Sequence, residues 1–283
     1  MKSLVPILIV TAVLAGACRK EGPSVDISEN GLVPVLFGVK GMDASVDTKV
    51  TAVDRSNLTT FYQSTTTGSG SSQTEVWSNA VFTKGDTYWA SEGLYWPRTN
   101  PSWNFYASNV PLTLNSSGAT VNATNTTDVV CAYLGASQVT VNAVHTLSFS
   151  HIFARIGKCK ILAPDGCTVT GLSVSITPQT GGVYNISGKS WSSKTTGSAT
   201  VIANSIGSDD AVDLYLVPGT YAVSATYTIN KGNYHETFST GASVNLPAGK
   251  VSNISSTLVF SGTTLQMDVE VADWTSTTVN VSL

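Results

Sequence analysis

Apolar side chains recur at every second residue over most of this chain, a period that fits strands and not helices. Tyr221, Val223, Ala225, Tyr227 and Ile229 mark one face of a strand, and Tyr234, Glu236 and Phe238 begin another. Asn230-Lys231-Gly232-Asn233 between them is turn chemistry, so the segment predicts a hairpin. Val33, Val35, Phe37 and Val39 alternate with Pro34, Leu36, Gly38 and Lys40, and Pro34 suits an edge or a strand start. Val139 to Ile161 reads as almost continuous strand, and Thr168 to Ile176 alternates. Leu265, Met267, Val269 and Val271 do so again, as do Val279, Val281 and Leu283. Ser64 to Gln73, a Ser/Thr/Gly run of low complexity, reads as a loop. Many short strands joined by turns predict an all-β chain of sandwiches. Beyond its leader the chain keeps roughly 265 residues, room for two. A boundary near Gln138 to Ala143 gives domains at 32–140 and 141–283.

The leader is residues 1–17. Met1-Lys2 supplies a positive start, and Leu4 to Leu14 is an apolar run too short for a comfortable membrane span. Leu14-Ala15-Gly16-Ala17-Cys18 closes it with small residues before a cysteine. This is the anatomy of a secretory signal, and its ending resembles a bacterial lipobox. Ala15 departs from that pattern, since the leucine sits one position early. Lipid on Cys18, at about 0.8 kcal/mol per buried CH₂, would anchor the protein to a membrane surface. Residues 18–31 then form a polar tether. The expected product is an envelope lipoprotein.

The remaining features exclude more chemistry than they suggest. Charged residues make up 12% of the chain and the net charge is −3, so no basic surface invites nucleic acid. Cys131, Cys159 and Cys167 are an odd set once Cys18 carries lipid. Cys159 and Cys167 flank Ala163-Pro164-Asp165-Gly166, and in a tight hairpin there they would be offset by three positions. A disulfide would need a wider loop. His145, His151 and His235 lack metal-ligand spacing, no nucleophile elbow or phosphate loop occurs, and no catalytic residue, metal or cofactor is implied. Trp77, Tyr88, Trp89, Tyr95, Trp96, Trp103, Phe105 and Tyr106 crowd one short stretch. Such rings fill a sandwich core. The alternative is a glycan-binding lipoprotein that uses Trp77, Trp89, Trp96 and Trp103 as an exposed platform.

Several local patterns, taken in order, resemble the fimbrillin family, the pilins and pilus accessory lipoproteins of Bacteroidales type V pili. Trp89, Leu94-Tyr95-Trp96-Pro97 and Trp103-Asn104-Phe105-Tyr106-Ala107 match its aromatic segment. Asp128-Val129-Val130-Cys131-Ala132, Phe149-Ser150-His151 and Ala154-Arg155-Ile156 follow. Gly182-Val183-Tyr184-Asn185-Ile186, Leu216-Val217-Pro218, Leu246-Pro247-Ala248-Gly249-Lys250 and Trp274 continue the series. The resemblance implies two tandem transthyretin-like β-sandwich domains, no enzymatic activity, and an outer-membrane lipoprotein precursor destined for a cell-surface fimbrium. It also implies that a trypsin-like protease cuts after a basic residue, that the first strand leaves, and that a strand from another subunit fills the groove.

On these residues the strand to be displaced is Val33, Val35, Phe37 and Val39, and the candidate cut sites are Lys40, Lys49 and Arg55. Lys49 or Arg55 would release the whole strand. Val279, Val281 and Leu283 are the candidate donor. The implied partners are other pilus subunits, the membrane through lipid, and a host or bacterial surface ligand. Nine residues follow Trp274 in this sequence. If the second sandwich needs them, the chain accepts a strand without offering one, as a tip or accessory subunit does. An uncleaved first strand suits a basal anchor.

Overall fold

The computed structural model describes residues 32–40, 53, 57–68, 72–96, 102–209, 211–258 and 267–273. The expected signal, the tether, Cys18, Lys49, Arg55 and the Val279, Val281, Leu283 series lie outside them. The described residues are strand and connection, with one 3-10 turn at Ala136–Gln138. No helix among them is long and apolar enough to cross a membrane.

The first strands are β1 (Pro34–Lys40), β2 (Thr60–Thr67), β3 (Thr74–Lys84), β4 (Trp89–Tyr95) and β5 (Trp103–Ser108). Next come β6 (Thr113–Asn115), β7 (Gly118–Thr124), β8 (Val130–Leu134), β9 (His145–Ser148) and β10 (Ser150–His151). An eight-stranded sheet takes most of them in the order β10-β8-β5-β2-β3-β4-β1-β9. β9 and β10, beyond residue 140, therefore complete the sheet of the first half. In a flat sheet β1 and β5, four strands apart, would be separated by about 19 Å. Yet the rings of Phe37 on β1 and Phe105 on β5 stand 5.1 Å apart. The sheet has curled over its own inner face, closing a core of Val35, Phe37, Phe61, Phe82, Phe105 and Phe149 with their neighbours.

The second half supplies β11 (Ala154–Leu162), β12 (Thr168–Ile176), β13 (Gln179–Asn185), β14 (Ser190–Thr196) and β15 (Thr200–Ala203). β16 (Ala211–Leu216), β17 (Gly219–Lys231), β18 (Tyr234–Leu246), β19 (Lys250–Thr257) and β20 (Asp268–Asp273) follow. Sheets β16-β11-β19-β20 and β15-β12-β17-β18 face each other across Ile156, Ile161, Val174, Val223, Tyr227 and Ile254. The predicted hairpin is there, with Lys231 opposite Tyr234 and Gly232 at φ +57° in the turn. The Cys159 to Cys167 segment is not a hairpin. β11 and β12 belong to opposite sheets, so the turn crosses the sandwich, and all three described cysteines are free thiols. Burial pushes Cys131 up to about 12 and Cys159 up to about 11, leaving both as inert core thiols.

A fourth sheet joins the halves. Its order is β14-β13-β7-β6, so two strands come from each half, with Tyr184 opposite Val121. It covers the outer face of the first sheet around Tyr106, and the shared core includes Val121, Val129, Phe153, Tyr184, Tyr215 and Val217. Every residue of β5 is buried as a result, on both faces. At the β7–β13 seam a side chain on Gly181 would meet the Ala123 carbonyl oxygen at 2.3 Å. Gly181→Ala is expected to cost about 1–3 kcal/mol by forcing the seam apart, read as a lowered thermal midpoint.

The loop expected over Ser64 to Gln73 starts later, because Ser64 to Thr67 form the second half of β2 while Gly68, Ser72 and Gln73 are connection. Gln63, Ser64 and Thr65 are 0% exposed and Thr66 is 2% exposed. Hydroxyl and amide groups tolerate such burial when each finds a partner. Here Gln63 Nε2 donates to Thr65 Oγ1 at 2.7 Å, and Thr66 Oγ1 donates to Gln73 Oε1 at 2.6 Å. Asn79 N donates to Ser64 Oγ at 2.9 Å, and Tyr106 OH donates to Gln73 Oε1 at 2.8 Å.

Candidate functional site

β1 is an interior strand, hydrogen-bonded antiparallel to β4 and parallel to β9. Pro34, which lacks an N–H, is its first residue, where the missing donor costs least. Trp96 N donates to the Val33 carbonyl at 2.8 Å, and Phe149 N donates to the Lys40 carbonyl at 3.0 Å, so both ends are tied. The period-two series points inward as expected, with Val35 and Phe37 at 0% exposure and Val39 at 3%. Val33, the first of the series, is half-buried against the same core. Each fully buried side chain of this size contributes about 1.5–3 kcal/mol.

Phe37 sits at the centre of an aromatic box. Its ring meets Phe82 at 5.1 Å and 64°, Phe105 at 5.1 Å and 81°, and Phe61 at 6.3 Å and 62°. These are edge-to-face contacts, which add to the area buried. Phe61 stacks on Phe82 at 5.3 Å and meets Phe149 at 5.4 Å, bracing the far wall. Removing β1 would leave a slot between β4 and β9 with unpaired backbone on both sides and rings at its floor.

Lys40 closes β1 with an exposed side chain. On the segment between β1 and β2, Val53 N donates to Asp128 Oδ2 at 2.7 Å. Asp128 is 1% exposed and its Oδ1 lies 3.0 Å from His151 Nδ1. A buried carboxylate thus holds the backbone of Val53, which lies in sequence between the candidate cut sites Lys49 and Arg55. Nothing in the local pattern marked Asp128 or His151 for this task, because the contact spans 75 residues. Asp128→Ala withdraws the acceptor from Val53 and is expected to cost about 1–3 kcal/mol. Trypsin should then cut within residues 41–56 faster relative to its cutting at the Lys231 turn, as measured by mass spectrometry.

The exposed tryptophan platform is corrected by burial. Trp89, Trp96 and Trp103 are each 3% exposed, and Trp77 is half-buried. Trp96 stacks on Trp103 at 5.3 Å and 13°, and Trp77 meets Trp103 edge-on at 5.0 Å. The four indoles are core because the curled sheet must fill its interior, and large rings do so with the most area. His145 packs against Trp96 at 5.7 Å, while His235 is exposed on β18. Among the described residues no three acidic, histidine or cysteine side chains gather as metal ligands.

Residues 44–274 match a protein family described as fimbrillin-like. A fimbrial protein from Bacteroides vulgatus is similar in structure, with a TM-score of 0.57, 13% identity, and 85% of this chain and 99% of that one covered. A candidate cell adhesion protein from Bacteroides uniformis has a TM-score of 0.51 and 18% identity, covering 87% and 99% of the two chains. A second candidate cell adhesion protein, from Bacteroides ovatus, has a TM-score of 0.51 and 16% identity, covering 86% and 98%. At these identities the likeness establishes the fold. A search of curated protein sequences finds no match.

Proposed function

Because this chain belongs to the fimbrillin-like family, we propose that it is a structural or accessory subunit, or a tip subunit, of a cell-surface pilus and contributes to adhesion. It is exported as a lipoprotein on Cys18, held at the outer membrane, and cut after Lys40, Lys49 or Arg55. β1 then leaves, and a strand from another subunit takes its place. The observation that carries this reading is the burial of Val35, Phe37 and Val39 in the interior of a sheet. β1 also lies ahead of the family match, which begins at residue 44. Strand addition joins main-chain hydrogen bonds to pockets for alternate side chains, and the slot between β4 and β9 offers both.

Brief exposure of the chain to trypsin, N-terminal sequencing and size-exclusion chromatography test the reading. The expected result is one early cut between residues 40 and 56 and release of the β1 peptide. Growth into oligomers afterwards identifies a stalk subunit, with the Val279, Val281, Leu283 series as donor if its deletion stops growth. Processing without growth identifies an accessory or tip subunit. Full resistance, with β1 retained, overturns strand exchange.

A further inference from the structure

We propose that the β1 slot selects a partner strand with an aromatic residue at its centre, flanked two residues away on each side by a β-branched aliphatic one. The inference rests on the strand-exchange reading and narrows the partner to a strand other than the Val279, Val281, Leu283 series. The present occupant is the template. Its inward residues are Val35, Phe37 and Val39, and the middle one meets three phenylalanine rings at 5.1 to 6.3 Å. A ring there completes the box. A smaller side chain leaves Phe82 and Phe105 facing a void, and voids of that size are costly because packed walls relax only in part.

The chain's own donor series does not meet this requirement. Val279, Val281 and Leu283 place Val281 at the centre. A shift of two residues, the smallest that keeps the same side chains inward, places Leu283 or Val279 there instead. No such register brings a ring to the box. Trp274 is the aromatic residue before this series, but its neighbours two residues away are Ala272 and Ser276, so it lacks the aliphatic flanks. The geometry therefore favours another strand over this series as the occupant of the slot.

The test titrates the trypsin-processed chain with fluorescent peptides and reads anisotropy. One peptide carries residues 32–40, a second carries the same sequence with Phe37→Val, and a third carries residues 275–283. The native β1 peptide is expected to bind at least tenfold more tightly than either of the others. A Phe37→Tyr peptide should retain most of the affinity. Equal binding of the three, or tighter binding of residues 275–283, overturns the selectivity while leaving strand exchange intact. If none of the peptides binds, processing opens no slot, and the proposal falls together with the strand-exchange reading.

Discussion

Phe37→Ala is expected to remove about 3–5 kcal/mol of stability, the range for deleting a fully buried aromatic side chain. Phe37 is 0% exposed, so the lost transfer energy is that of the whole ring. The cavity term adds to it, because Phe61, Phe82 and Phe105 belong to three different strands of one curled sheet. They cannot collapse inward without breaking ladder hydrogen bonds. Urea unfolding followed by tryptophan fluorescence measures the effect, since Trp77, Trp96 and Trp103 share this core. A shifted midpoint at unchanged slope is the signature of lost stability alone. A loss under about 1 kcal/mol, the size of an ordinary substitution, would mean that β1 is not a structural part of the first sandwich.

The second large effect is expected at Asp213, far from the slot. Arg155 lies opposite Tyr215 in β11's pairing with β16, and its side chain is 2% exposed and that of Asp213 3%. Arg155 Nε donates to Asp213 Oδ1 at 3.1 Å, Nη2 donates to the same oxygen, and the guanidinium lies 5.9 Å from the Tyr215 ring centre. Asp213 occupies φ +50°, a conformation that Asn tolerates as well as Asp. Asp213→Asn therefore changes charge with little change in backbone strain. Removing one partner of a buried ion pair leaves the other charge desolvated, and the expected cost is about 3–5 kcal/mol. Arg155→Met in the same chain should recover part of that loss, since the uncompensated charge is gone. Additive losses in the double variant, read by the same unfolding measurement, would show that the two side chains are not coupled.

Much of the strand content was legible because burial of one face imposes a period of two, and that period survives without knowledge of the partner. The β17–β18 hairpin was readable to its turn, where Gly232 takes a positive φ within the two-residue connection. The inward set of β1 was readable as well, and Val35, Phe37 and Val39 are buried as the alternation predicts. The resemblance to the family was readable in short aromatic and turn motifs whose order runs along the chain, and the match over residues 44–274 shows the membership.

Where polar residues are buried, the pattern failed. Ser64, Thr65 and Thr66 carry no apolar signal, yet they lie inside because Gln73, Asn79 and Gln63 satisfy their hydroxyl groups from elsewhere in the fold. The tryptophans could face water or core on sequence grounds alone, and the curl of the first sheet put them in the core. The turn after β11 was readable but not whether it closes a hairpin, and β11 pairs with β16 and β19, both far along the chain. The same holds for the carboxylate of Asp128 against Val53, and for the sheet that β7 and β13 share.

By itself, then, the sequence determined where most of the strands lie, which side chains within a strand share a face, and where the tightest turn falls. Those are local consequences of side-chain alternation and backbone sterics. Only the tertiary structure decided which strands are neighbours, which faces are covered twice, and that β1 lies inside its sheet over an aromatic box. Strand pairing joins residues far apart in the chain, and its energy comes from surfaces that exist only once both partners are in place.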